Sequence, residues 1–358
     1  MGGTPVSYED GWAALRLEMP SRVPRTEYSL NYHHALLSAI TGIEVGPDSP
    51  PELQGRALRQ AMLAWGFDFQ WNTLVGGQYY NGIGTRMGHA AYANDGSDYD
   101  DDVRSTFSGD PEEVYALRPM EAFKCPPHGE LVETFSKAYE RACGWYPEAV
   151  NMTGTYTSVM SGLIALFGWE LLLTAAGEDP VRFGELTDRY AAWMQRFFYA
   201  IADSSAECVM IHDDFVWNSG GFMHPDWYRR YVFPNIARYV APLREAGKVV
   251  MFTADGDYTR YIDDLAKTGI SGFALEPTVD MARIAERYGS THAFIGNADT
   301  RVLMFGSRED IRGEVARCMA IGKGCPGYFL SVGNHISPNT PVESALYYNE
   351  AYESMCRR

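Results

Sequence analysis

The 358-residue chain lacks a basic surplus: 30 Lys and Arg face 46 Asp and Glu, a formal net charge of −16. A polyanion repels nucleic acid, so no nucleic-acid partner is expected. Cysteine is scarce. Cys125, Cys143, Cys208, Cys318, Cys325 and Cys356 form no C-x-x-C pair, and a chain this long needs no disulfide staples, so reduced thiols are expected. No glycine-rich loop of the G-x-G-x-x-G or P-loop form follows a strand-like run, which argues against a bound nucleotide. A basic segment followed by an apolar one is missing at the N-terminus, where Met1–Pro5 lead into Glu9, Asp10 and Trp12, so a cytoplasmic protein without a signal peptide is expected. The longest apolar stretch, Val159–Ala176, holds Glu170 and reads as a buried helix rather than a membrane span.

What is present is an ordinary globular composition, 46% hydrophobic and 21% charged, with 23 Tyr as its oddity. No linker divides the chain, so one domain over 1–358 is expected. In the second half, apolar runs of strand length alternate with amphipathic segments. The runs are Cys208–Ile211, Val249–Thr253, Gly272–Leu275, Ala293–Gly296 and Tyr328–Val332. Between them lie Asp226–Ala246, Thr259–Thr268, Met281–Tyr288 and Arg308–Ile321. Continuous apolar strands separated by helices predict a parallel sheet covered on both faces. Five such units in succession favour an α/β fold of the (β/α)8 TIM-barrel type over an open sheet. Earlier strands are expected at Phe67–Asn72 and Ala149–Thr153, and residues 1–65 read as an N-terminal helical extension. The acidic stretch Asn94–Val114, with Asp98–Asp102, does not match a calcium loop and reads as a solvated excursion.

Barrels gather function at the C-terminal ends of their strands. Here those ends carry His212-Asp213-Asp214, Asp255, Glu276, Asp299 and Asn334-His335 in turn. One such residue alone is commonly a helix cap or a loop hydrogen bond. Five polar ends on one rim point to a site. Crowded carboxylates require a cation or shared protons. Asp255, Glu276 and His335, with Asp299 as a fourth candidate, would suit zinc or another divalent metal; proton transfer without metal is the other solution. His212 could orient Asp213 or Asp214. His89 could line the mouth, whereas His33 and His34 fit an N-terminal helix. Trp71, Tyr79, Tyr80, Tyr156 and Trp217 fall near strand ends, where they could sandwich a ring or simply form barrel wall.

Phe252-Thr253-Ala254-Asp255-Gly256, Gly296-Asn297-Ala298-Asp299, Gly333-Asn334-His335-Ile336 with Thr340-Pro341, and His224-Pro225 with Tyr228 and Pro234 together resemble the uroporphyrinogen decarboxylase superfamily. Within it they look like the corrinoid-dependent methyltransferases. The likeness covers about residues 205–355 and implies a (β/α)8 barrel. The decarboxylase's N-terminal arginine-rich segment has no counterpart around Arg22 and Arg25, and Asn334 stands where that enzyme has histidine. The His-x-Cys…Cys zinc set of the thiol-methylating branch is replaced by Thr253, Asp255 and Asn334. The resemblance therefore implies the methyl-donor side: an O-demethylase component passing methyl from a methoxylated aromatic to the cobalamin cobalt of a partner corrinoid protein. On this reading a metal held by Asp255, Glu276 and His335 would polarise the ether oxygen, or Asp213 or Asp214 would protonate it. Asn334 and the aromatic residues would bind substrate. A cofactor-free decarboxylase, a non-catalytic barrel binding an aromatic or tetrapyrrole ligand, and an amine methyl donor are the alternatives.

Overall fold

The computed structural model describes residues 8–85 and 105–358. His89 and the acidic stretch 98–102 lie outside the described residues. Among the described residues ten short strands occur: β1 Phe69–Gln70, β2 Val150–Asn151, β3 Thr153–Thr155, β4 Cys208–His212, β5 Val216–Trp217, β6 Gly220–Gly221, β7 Val249–Thr253, β8 Gly272–Ala274, β9 Ala293–Ile295 and β10 Tyr328–Phe329. β3, β4, β7, β8, β9 and β10 form one parallel sheet in that order, and β1 pairs parallel with β2, which runs on into β3. β5 and β6 make a small antiparallel hairpin at the rim.

The sheet closes through a stretch that carries no strand-like sequence pattern. Leu330, just past β10, donates to the Pro24 carbonyl, and Thr26 donates back to the Leu330 carbonyl. On the other side Asp68 donates to the Arg25 carbonyl, and its own carbonyl accepts from Val150. Residues 24–26, β1, β2 with β3, β4, β7, β8, β9 and β10 are therefore the eight staves of a closed barrel. The expected (β/α)8 fold is present, and part of the expected N-terminal extension is barrel wall. The described part of that region also carries helices, at Tyr8–Leu15, His34–Thr41 and Pro51–Ala64.

The interior follows the sequence rhythm. β4 is buried at every position, and Val209, Ile211, Val250, Phe252, Phe273 and Phe294 turn toward the helical layer. Phe69, Met152, Met210, Met251, Ala274, Ile295 and Phe329 form a second, smaller core inside the barrel. At Gly154 an added methyl would run into the Met210 carbonyl, so the stave pair β3–β4 requires glycine there. The helix Met160–Glu178 is long and apolar enough to cross a membrane, but 67% of its most apolar window is buried within the fold. The expected single helix at 226–246 is two, Pro225–Tyr231 and Phe233–Glu245, with Pro234 opening the second.

The closure is held by buried charge. Arg22 grips Asp68 through both guanidinium nitrogens, at 2.8 and 2.5 Å, and Asp68 also accepts from the Arg25 backbone at 2.8 Å. Arg25 is fully buried, 2.7 Å from Glu27 and packed over Trp65 and Tyr352. Glu27 in turn accepts from the Val332 backbone at 2.9 Å. Removing one partner of such a pair strands a charge in the interior and costs about 3–5 kcal/mol. Asp68→Ala is expected to lose stability of that order in urea denaturation. Arg59→Ala, which removes the half-exposed Arg59–Glu148 pair, is expected to lose at most about 1 kcal/mol.

Candidate active site

A cavity of about 220 Å³ opens at the C-terminal mouth of the barrel. Its lining comes from seven sectors of the wall: Tyr28, Ser29, Asn31 and Tyr32 beyond the N-terminal stave; Trp71, Asn72 and Thr73 after β1; Tyr156 after β3; Met210 and His212 on β4; Asp255 after β7; Glu276 after β8; and Asn334 and His335 after β10. Two ring stacks stand in this wall. Tyr28 lies on Trp71, centroids 4.1 Å apart and planes 11° from parallel. Tyr156 lies on His212 at 4.1 Å and 9°. The Tyr28 hydroxyl reaches across to Thr253 Oγ1 at 2.5 Å, and His335 meets the Tyr28 ring edge-on at 6.0 Å.

His212, Asp214 and Asp255 can each offer one ligand atom such that all three atoms lie within 4.8 Å of one another. His212 Nε2 is 3.4 Å from Asp214 Oδ1, which also accepts from the Asp255 backbone at 2.8 Å. Gly256 makes this turn possible: its φ is +96°, and a Cβ would strike the Trp217 backbone at 2.7 Å. One imidazole nitrogen and two carboxylate oxygens form a donor set that fits zinc or a similar divalent cation and leaves positions open for substrate.

Glu276 faces the same cavity with a different electrostatic character. Burial, followed by the negative charge of Asp255, pushes its carboxyl up to about 9, against the opposing hydrogen bond from Asn334. Asn334 Nδ2 donates to Oε1 at 2.9 Å. That bond depends on close approach of two loops: a Cβ at Gly333 would meet Pro277 N at 2.6 Å and Cγ at 2.7 Å. At neutral pH Glu276 is a carboxylic acid able to donate.

The residues expected from sequence divide accordingly. His212, Asp255, Glu276, His335, Trp71, Tyr156 and Asn334 share the cavity wall, and Asp214 adjoins it through His212 and Asp255. Of the expected metal set only Asp255 belongs to the three-residue donor cluster; His212 and Asp214, read as acid–base residues, supply the other two members. Asp299 caps the helix Thr300–Phe305 and pairs with Arg301 at 2.6 Å. Burial works to raise its carboxyl, but the Arg301 hydrogen bonds prevail and hold it low. Asp213 points into the wall, where Oδ1 accepts from the Val159 and Ser161 backbones at 2.8 and 3.1 Å. Burial lifts its carboxyl to about 7 despite those bonds. Tyr80 is core, bonded to Tyr190 at 2.6 Å, and Tyr79 packs on Phe197. Trp217 sits on the rim hairpin, 43% exposed, against Trp169 and Phe222. Most of the tyrosine excess is likewise structural: Tyr146, Tyr190, Tyr228, Tyr239, Tyr258, Tyr328 and Tyr348 are fully buried. Tyr28, Ser29, Asn31 and Tyr32 escaped the sequence reading because they follow a stave with no strand-like pattern.

Comparison with known proteins agrees with this architecture. Residues 99–355 match the family model for uroporphyrinogen decarboxylase (URO-D). Over 173 residues the chain is 33% identical to the uroporphyrinogen decarboxylase of Alkalilimnicola ehrlichii, covering 47% of this chain and 46% of that protein. Over 253 residues it is 24% identical to that of Gloeobacter violaceus, covering 68% and 69%. The match to the first of these relatives spans about half of its length. A methyltransferase from Methanosarcina mazei shares the fold with a TM-score of 0.65 over 98% of this chain and 99% of that one, at 17% identity. With its eight-stave barrel and a family match over residues 99–355, the chain belongs to the uroporphyrinogen decarboxylase family.

Proposed function

We propose that the chain is the methyl-donor-side component of an O-demethylase, releasing the methyl group of a small methoxylated aromatic to the cobalt of a corrinoid carried by a partner protein. The observation that carries this reading is the His212–Asp214–Asp255 donor cluster beside the buried Glu276, in a mouth cavity walled by aromatic rings. The fold likeness to a methyltransferase adds support.

The chemical difficulty lies with the leaving group. The methyl–oxygen bond breaks with both electrons on oxygen, and a bare aryloxide leaves poorly. A divalent cation held by His212, Asp214 and Asp255 would supply Lewis acidity at that oxygen. Glu276 would give the oxygen its proton as the bond breaks, with Asn334 holding the carboxyl by Oε1. The faces of Tyr28, Trp71 and Tyr156 offer apolar surface to an aromatic ring. The methyl group departs opposite the oxygen, through the open mouth, which is therefore the side that the corrinoid protein must approach.

Cofactor-free decarboxylation is the second reading, favoured by the curated relatives' shared name. Such a substrate would bring carboxylates to a described lining that contains Asp255 and Glu276 and neither Arg nor Lys. Arg22 and Arg25 are engaged in the barrel wall.

Zinc titrated into metal-free protein, in competition with a chromophoric chelator, is expected to bind. His212→Ala and Asp255→Ala should each weaken it by at least about tenfold, and Asp299→Ala should leave it unchanged; equal binding by all of them removes the metal assignment. Methyl transfer is checked with a reduced corrinoid protein and a panel of methoxyarenes, read from the corrinoid absorption spectrum. Glu276→Gln is expected to lower the rate by about 10²–10⁴. Because the protonated form acts, the wild-type rate should fall as pH rises through the Glu276 pKa, about 9 without metal and lower beside a bound cation. No transfer from any donor, with decarboxylation of a porphyrinogen instead, would establish the second reading.

A further inference from the structure

Ser161 opens the helix Met160–Glu178 and is 6% exposed, with no place in the cavity lining. Its hydroxyl nevertheless meets both ends of the 212–214 segment. It lies 2.7 Å from the Asp214 backbone nitrogen, 3.1 Å from Asp214 Oδ2 and 3.4 Å from His212 Nδ1. A serine hydroxyl has one proton and two lone pairs. The backbone N–H can only donate, so it takes one lone pair. The carboxylate can only accept, so it takes the proton. The remaining lone pair faces His212 Nδ1, which must then be the protonated ring nitrogen. A second acceptor agrees: the Tyr156 carbonyl lies 3.2 Å from the same nitrogen. With Nδ1 donating, Nε2 is the ring nitrogen left for a cation to take, and it stands 3.4 Å from Asp214 Oδ1 inside the donor cluster.

We infer that Ser161 is a positioning residue that fixes the His212 tautomer and the Asp214 rotamer, and so prepares the cluster to bind a divalent cation. The inference rests on the metal site of the proposed function. A ligating histidine characteristically donates its other N–H to an acceptor outside the site, and loss of such an acceptor costs about 10–100-fold in metal affinity. Here the loop-to-helix segment 156–161 supplies these outer contacts: Tyr156 by carbonyl and ring, Ser161 by hydroxyl. The backbone amides of Val159 and Ser161 clamp the intervening Asp213. Three consecutive residues of one strand end are thus oriented by three residues, Tyr156, Val159 and Ser161, of one neighbouring segment.

The test compares metal-free wild type, Ser161→Ala and Ser161→Thr. Zinc affinity is read by chelator competition, and the His212 tautomer by long-range ¹⁵N–¹H correlation in histidine-labelled protein. Ser161→Ala is expected to bind zinc about 10–100-fold more weakly and to mix the two tautomers. Ser161→Thr, which keeps the hydroxyl, is expected to restore both. Ser161→Cys, similar in volume and a weaker hydrogen-bonder, carries the comparison if the alanine chain does not fold. Wild-type affinity and an unchanged tautomer in Ser161→Ala would overturn the inference. Absence of zinc binding by the wild type would overturn the metal centre of the proposed function, and the tautomer measurement would still decide the role of Ser161.

Discussion

The grip of Asp68 on Arg22 and on the Arg25 backbone is the constraint from which the site follows. It makes residues 24–26 the stave that closes the barrel between β1 and β10. Without closure the edges of β1 and β10 would expose unpaired backbone groups, which a barrel exists to avoid. The same stave delivers Tyr28 to the mouth, where it stacks on Trp71 and bonds Thr253 across the opening. A buried ion pair is poor evidence of stability when compared with an apolar replacement. Here it specifies position: guanidinium and carboxylate fix the register of a segment too short to fix its own.

The strand-end carboxylates carry the same chemical group and reach different states through their neighbours. Asp299 has Arg301 and serves a helix cap. Asp213 has two backbone amides and no cation, and burial leaves it near 7. Glu276 is buried beside the negative charge of Asp255, and its one amide hydrogen bond does not offset them, so its carboxyl is pushed up to about 9. Asp214 and Asp255 remain beside an imidazole, as the pair that a cation would join. The rim is thus a graded set, in which a carboxyl raised by burial stands next to oxygens that could ligate a cation. In the proposed function this division would let one cavity combine Lewis acidity with proton donation.

The second half of the barrel was legible in sequence because parallel strands buried on both faces must be apolar throughout, as Cys208–Ile211 and Val249–Thr253 are. Their polar ends were legible for the same reason: an Asp or His directly after such a run has nowhere to go but the rim. The N-terminal stave was not legible, because Pro24, Arg25 and Thr26 gain their place from tertiary partners and not from a pattern. Nor was the sorting of the rim. Whether Asp299 ligates or caps is decided by Arg301, two residues away, and whether Asp213 faces the cavity or the wall is decided by amides more than fifty residues earlier.

That last dependence sorts the side chains of the strand end. Along one strand end, successive side chains point to opposite sides. His212 and Asp214 therefore fall on the cavity side together, with Asp213 between them aimed at the helix amides. A reading by residue type selects all acids at the rim; a reading by alternation selects every second one. Asp255 then joins from β7 because Gly256 bends the chain against Trp217 and brings its backbone amide onto Asp214. Strand alternation supplies two members of the cluster and one glycine turn supplies the third, and neither requires a sequence motif.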